Sequence, residues 1–133
     1  MDFGKVFMDG KPIFGSHKTF KGFFGGLIIG TLVGIGESYL FNDYNPFSGF
    51  VLSLGALVGD LAGAFIKRRL GFTPGSPMPV IDQIDFVLGA LFFSLFVNPP
   101  SPVMAFVIMI LTIPIHMFTN FLAYLIHAKE RPW

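Results

Sequence analysis

Four apolar runs, at residues 23–41, 47–66, 84–97 and 103–126, dominate this chain and leave it few ways to fold in water. A membrane-spanning helix needs about 20 apolar residues at about 1.5 Å rise each. The first, second and fourth runs meet that length. The third needs its flank from about Val80, which makes the span 80–97 and implies tilt or a locally thinned bilayer. Apolar residues make up 53% of the 133 residues and charged ones only 13%, against about 25% charged in soluble domains. The expected fold is all-α: a single domain over residues 1–133, an integral membrane helical bundle of four spans.

Charge is sorted along this pattern. All nine Lys and Arg residues lie in three of the five non-hydrophobic segments. Lys5, Lys11, Lys18 and Lys21 precede the first span, Lys67, Arg68 and Arg69 follow the second, and Lys129 and Arg131 follow the fourth. The breaks around Asp43 and around Pro99-Pro100 carry no basic residue. Four crossings put every positive charge on one face, and the positive-inside rule makes that face cytoplasmic. The chain is therefore expected to be a multi-pass protein of the cell membrane, with its polar clusters facing the cytoplasm. Basic residues that sort by membrane side give no reason to expect a nucleic-acid partner. The absence of Cys excludes disulfides, thiolate metal sites and cysteine nucleophiles. Residues 1–22 are polar and Gly-rich, unlike a signal peptide.

Glycine recurs at helical spacing in two spans: Gly22, Gly26, Gly30 and Gly34 in the first, and Gly55, Gly59 and Gly63 in the second. Residues four apart share a helix face, and small side chains there let membrane helices approach closely. Such stripes serve packing within one chain and between copies alike, so a homodimer stays open. Gly59 adjoins Asp60, which leaves it a ligand role as well. The fourth span contains Pro114, a kink site. His116, Asn120 and His127 fall on one of its faces, flanked by Thr119 and Tyr124. Such a polar stripe faces other helices or a wet cavity.

Three clusters could carry chemistry. Asp60 lies inside the second span, about 10 Å from its cytoplasmic end; a carboxylate at that depth is functional or paired. Lys67 lies two turns further along the same helix face. Asp82 and Asp85 follow a Pro-rich loop and share a helix face at i, i+3. They are either helix-start acids favoured by the dipole or, with Asp60, ligands of a hard cation. Carboxylates without Cys or a strong His cluster favour Mg²⁺, bound through oxygen with waters and substrate phosphates. The third cluster is basic: His17, Lys18, Thr19 and Lys21 before the first span, and Lys67 and Arg68 after the second. Anchoring to anionic headgroups accounts for Arg69 and Lys5. Lys18, Lys67 and Arg68, beside the acids, are equally suited to phosphate. No Walker-type, dinucleotide-binding or HExxH motif occurs. Acids for a metal, bases for phosphates and an intramembrane groove suit transfer between a nucleoside triphosphate and a lipid phosphate.

Four ordered stretches extend this reading: FGSHKTFKGFFGG (14–26), GDLAGAFIKRRLGF (59–72), GSPMPVIDQIDF (75–86) and TNFLAYLIHAKERPW (119–133). Together they resemble the CDP-archaeol synthase family, archaeal relatives of the phosphatidate cytidylyltransferases. Gln83 stands where the bacterial pattern has Arg, as in the archaeal branch. The resemblance implies transfer of CMP from CTP to 2,3-di-O-geranylgeranylglycerol 1-phosphate, giving CDP-archaeol and pyrophosphate with Mg²⁺. It implies that Asp60, Asp82 and Asp85 hold the metal, and that Lys67 and Arg68 neutralise phosphate beside the catalytic acids Asp82 and Asp85. His17, Lys18, Thr19, Lys21 and Asn120 would then contact nucleotide or lipid. The family has five spans, with a helix before the His-Lys-Thr loop, so a first span is expected to be missing here. Two other readings compete. A small transport or scaffold protein would use Asp60 and His116 as an ion path, but the polar groups gather at one face, unlike a transporter's midplane site. The other is an inactive truncated homologue that keeps the fold.

Overall fold

The computed structural model describes residues 1, 6–15, 18–41, 45–73, 76 and 81–127. His17, Lys5, Asp43, Val80, Lys129 and Arg131, and most of the Pro-rich loop, lie outside the described residues. Four helices follow in chain order: α1 (Phe20–Leu40), α2 (Phe47–Arg69), α3 (Ile81–Ser94) and α4 (Pro102–Leu125).

Their ends have local causes. Thr19 is the N-cap of α1, in extended backbone, and its Oγ1 accepts from the Gly22 N–H at 3.1 Å. Ser101 caps α4 in the same way, accepting from the Met104 N–H at 3.2 Å, with Pro102 as the first helical residue. α2 runs past its apolar stretch, so Lys67, Arg68 and Arg69 form its last turn, where cations complement the helix dipole. It stops at Gly71, whose φ of +88° suits glycine. There the Phe72 N–H donates to Lys67 O at 3.0 Å and the Gly71 N–H to Arg68 O at 3.2 Å, the paired closure of a Schellman end.

The third element departs from expectation. α3 has 14 residues, which is about 21 Å of helix against the ~30 Å hydrocarbon core. Three helices, α1, α2 and α4, are long and apolar enough to cross a membrane. The apolar composition continues through Leu95–Phe96–Val97, but the backbone tightens to turns: Phe96 N–H to Phe93 O and Val97 N–H to Ser94 O, both 3.1 Å. Pro99 and Pro100 follow directly, and the residue before a proline is driven out of helical geometry.

Each helix touches its neighbour in sequence, α1 to α2, α2 to α3 and α3 to α4, and no other helix pair meets among the described residues. Glycine makes the first two contacts. A Cβ on Gly34 would lie 2.3 Å from Gly49 Cα, and one on Gly89 only 2.2 Å from Gly55 O. The α2–α3 contact is the most extensive, while α4 has no buried residue. Large apolar side chains point outward along α1 and α4, as they do where lipid is the solvent. Lys67 and Arg68, at 7% and 5% exposure, are buried to the same degree as Val51, Ala64 and Val87 at 6–9%.

Candidate functional site

The α2–α3 interface carries one ladder from glycine to charge. On α2, Gly55, Gly59, Gly63 and Lys67 are spaced four apart and share a face. A Cβ on Gly59 would lie 2.3 Å from Asp85 O, and one on Gly63 only 2.0 Å from Asp85 Oδ2. These two glycines thus let the Asp85 backbone and carboxylate lie flat against α2. Gly59 meets backbone, which is the packing role. Asp85 Oδ1 also accepts from the Phe86 N–H at 2.6 Å.

One turn on, Lys67 Nζ donates to both Asp82 oxygens, at 2.7 and 2.9 Å, and to Ser76 O at 2.9 Å. This pair joins the last turn of α2 to the first turn of α3. Arg68, beside it, donates from a terminal guanidinium nitrogen to Phe72 O at 2.5 Å, and its buried Nε has no hydrogen-bond partner. Gln83 Oε1 is likewise buried and unpaired.

Asp60 is met from the other side. Lys18 Nζ donates to Asp60 Oδ1 at 2.5 Å, with both side chains partly exposed. Since Lys18 immediately precedes the Thr19 cap, the start of α1 fixes where its ammonium can reach. In this arrangement Asp60 is thus paired with a residue just before α1.

The structure thus brings Lys18, Asp60, Lys67, Arg68, Asp82 and Asp85 to the shared end of α2 and α3. Lys21 is exposed on the first turn of α1 and makes no ion pair among the described residues. The Thr19 hydroxyl is engaged as a helix cap. Asn120 Nδ2 lies 3.3 Å from His116 Nδ1 on α4, and the His116 ring rests 5.9 Å from that of Phe86, next to Asp85. The α4 stripe is shorter than its spacing suggests, because His127 lies past the helix end in left-handed backbone, φ 59°. Among the described residues no three His, Asp or Glu side chains converge tightly enough to hold a metal ion. Lys18 and Lys67 pair with two of the three carboxylates, Asp60 and Asp82.

Arg69 is the residue that sequence reasoning misplaced. Instead of reaching for headgroups, its guanidinium lies 5.1 Å from the ring centre of Phe7 and 4.9 Å from that of Phe65. It also pairs with Asp9. An available signal was Asp9-Gly10, a turn dipeptide inside the short antiparallel bridge between Val6 and Pro12.

Comparisons with known proteins bear on the family and the fold. The model of CarS-like CDP-archaeol synthases matches residues 1–133. A CDP-archaeol synthase of Thermofilum pendens is 46% identical over the whole chain, which spans 65% of that relative's length. Those of Methanopyrus kandleri and Pyrococcus furiosus are 42% and 44% identical, again over the whole chain, which covers 79% and 83% of their lengths. A solved structure described as an intramembrane enzyme for archaeal membrane lipids biosynthesis superposes with a TM-score of 0.84 at 35% identity, over 90% of this chain and 77% of that one. By full-length sequence match and by fold, this chain belongs to the CDP-archaeol synthase family.

Proposed function

We propose that this chain transfers CMP from CTP to the phosphate of an unsaturated archaeal ether lipid, 2,3-di-O-geranylgeranylglycerol 1-phosphate. A lipid phosphate oxygen forms a bond to the α-phosphorus of CTP, the bond from that phosphorus to the β-phosphate oxygen breaks, and pyrophosphate leaves. The product is CDP-archaeol. The observation that carries this reading is a family match over the whole chain together with acids and bases at one end of α2 and α3. The lipid phosphate is already an anion at neutral pH, so the protein's task is positioning and charge stabilisation.

The donor chemistry suits Mg²⁺. Asp60 on α2 and Asp82 and Asp85 a turn apart on α3 offer hard carboxylate oxygens that would hold it once Lys18 and Lys67 release two of them. Gly63 keeps a side chain away from the Asp85 carboxylate. With such an ion held there, the negative charge of the nucleotide phosphates would be partly neutralised. Lys18 and Lys67 exchange their carboxylate partners for phosphate oxygens as the nucleotide enters. Their flexible stems and single charged ends suit such an exchange. Arg68, with an unsatisfied N–H, supplies a further donor. By their place in the family's motifs, His17, Thr19, Lys21 and Asn120 are assigned to contact nucleotide and lipid. The site faces the cytoplasm, where CTP is available, because the basic segments fall on that side.

The test is pyrophosphate release from CTP by the purified protein in detergent micelles containing the ether-lipid phosphate, with and without Mg²⁺. Asp82→Asn and Asp85→Asn are each expected to lower turnover by about 100-fold or more, the scale for losing one preorganised charge-stabilising group. Full turnover in both variants overturns the assignment of the acids. Wild-type protein that binds CTP but labels no lipid phosphate overturns the reaction.

A further inference from the structure

Among the described residues, Arg69 makes most of the side-chain contacts between α2 and the polar arm before α1. Arg69 is the last residue of α2, and its guanidinium pairs with Asp9 and donates to the carbonyls of Lys11 (3.2 Å) and Pro12 (2.5 Å). The rings of Phe7 and Phe65 are edge-on to each other at 5.4 Å, and the same guanidinium lies over both. The arm answers in kind: Lys11 Nζ donates to Arg69 O at 2.8 Å, meeting one of the carbonyls left open at the end of α2. Within the arm, the Lys11 N–H donates to Asp9 Oδ1 and the Phe7 N–H to Lys11 O, so residues 7–12 form one folded unit.

Six residues beyond Pro12 the chain reaches Lys18, whose ammonium sits on Asp60. Asp60 lies about 14 Å back along α2 from Arg69, and six residues span at most about 20 Å when extended. The six-residue connection therefore sets an upper bound on how far Lys18 can lie from Pro12. Fixing Pro12 at Arg69 limits where Lys18 can be, and the Thr19 cap limits it from the other side.

We infer that Arg69 is a positioning residue: through its clamp on residues 7–12 it holds the segment that presents Lys18 to the acidic end of α2 and α3. In kinetic terms this rests on the cytidylyltransferase reading above, but the clamp itself can be measured without turnover. Anchoring to lipid headgroups requires only a positive charge at this position. The clamp requires the forked, planar donor set and the flat face that stacks on two rings, which lysine lacks.

Arg69→Lys separates the two roles. The chain has no Cys, so a nitroxide on Met8→Cys, at a side chain 97% exposed, reports the arm alone. The label is expected to be restricted in the otherwise wild-type protein and to gain a mobile component in Arg69→Lys. Asp9→Ala, which alters the arm and leaves the helices intact, is expected to do the same. With CTP, both variants are expected to show a KM raised about tenfold, as when the competent arrangement is populated one-tenth of the time, with kcat within about twofold. If Arg69→Lys and Asp9→Ala leave the label and KM unchanged, the inference is overturned. If the label loosens while KM stays fixed, the clamp holds the arm without positioning the site, and the inference is overturned as well. Failure of the reaction itself would show in the wild-type assay, before any variant is compared.

Discussion

Lys67 and Asp82 are unequal partners, with side chains 9% and 34% exposed. Removing the lysine leaves a carboxylate that water can reach, whereas removing the aspartate leaves a buried ammonium held only by Ser76 O. Breaking a fully buried pair costs about 3–5 kcal/mol. The partly wet carboxylate places Asp82→Ala nearer ~2–3 kcal/mol, and Lys67→Met nearer ~1 kcal/mol, by the same reasoning. Denaturant titration of the detergent-solubilised protein is expected to rank them in that order, and the reverse order would mean that Asp82 bears the larger desolvation cost. At this scale much was legible in the sequence. Asp60, Asp82, Lys18 and Lys67 stood out because charge is rare in apolar surroundings. Which acid meets which base was not, since Lys18 and Asp60 are 42 positions apart and nothing local couples them. Arg69 was misread for the same reason: its partners lie in a polar arm 57 to 60 positions earlier.

Among the helices, the glycine stripes were readable as packing faces because spacing of four fixes a face whatever the partner. The contacts add which stripe positions matter. On α1, a Cβ at Gly34 would run into the Gly49 backbone, whereas one at Gly36 meets nothing within 4 Å. Backbone cannot rotate aside, so Gly34→Ala is expected to lose about 1–3 kcal/mol through forced separation of α1 and α2. Gly36→Ala is expected to be neutral or to gain about 0.5–1 kcal/mol from its lower unfolded-chain entropy. Thermal unfolding of the two variants side by side checks this, and equal midpoints would remove the close approach as a source of stability. The end of α3 was the least legible boundary. Leu95, Phe96 and Val97 extend the apolar run, so composition continues where geometry stops, and Asn98-Pro99-Pro100 decides the matter a turn earlier than hydropathy suggests.

For the molecule as a whole, the order of helices and the sorting of charge make one statement about orientation. The arm before α1 and the loop after α2 share a side, and the connections after α1 and α3 share the other. In a cell making this protein, a membrane-impermeant maleimide added from outside is expected to label Asn98→Cys and to spare Met8→Cys until lysis. Labelling in the opposite sense would invert the proposed topology. The brevity of α3 has a mechanical consequence. Phe93, near its end, lies against Gly55, and α2 runs on to Phe47, about 12 Å further. The deficit thus sits wholly at the end remote from the charges. Local thinning of the bilayer on that side is one way to meet such a mismatch, at fractions of a kcal/mol per Å. An elastic cost of that kind would fall on the leaflet remote from the charges and would favour thinner patches of membrane.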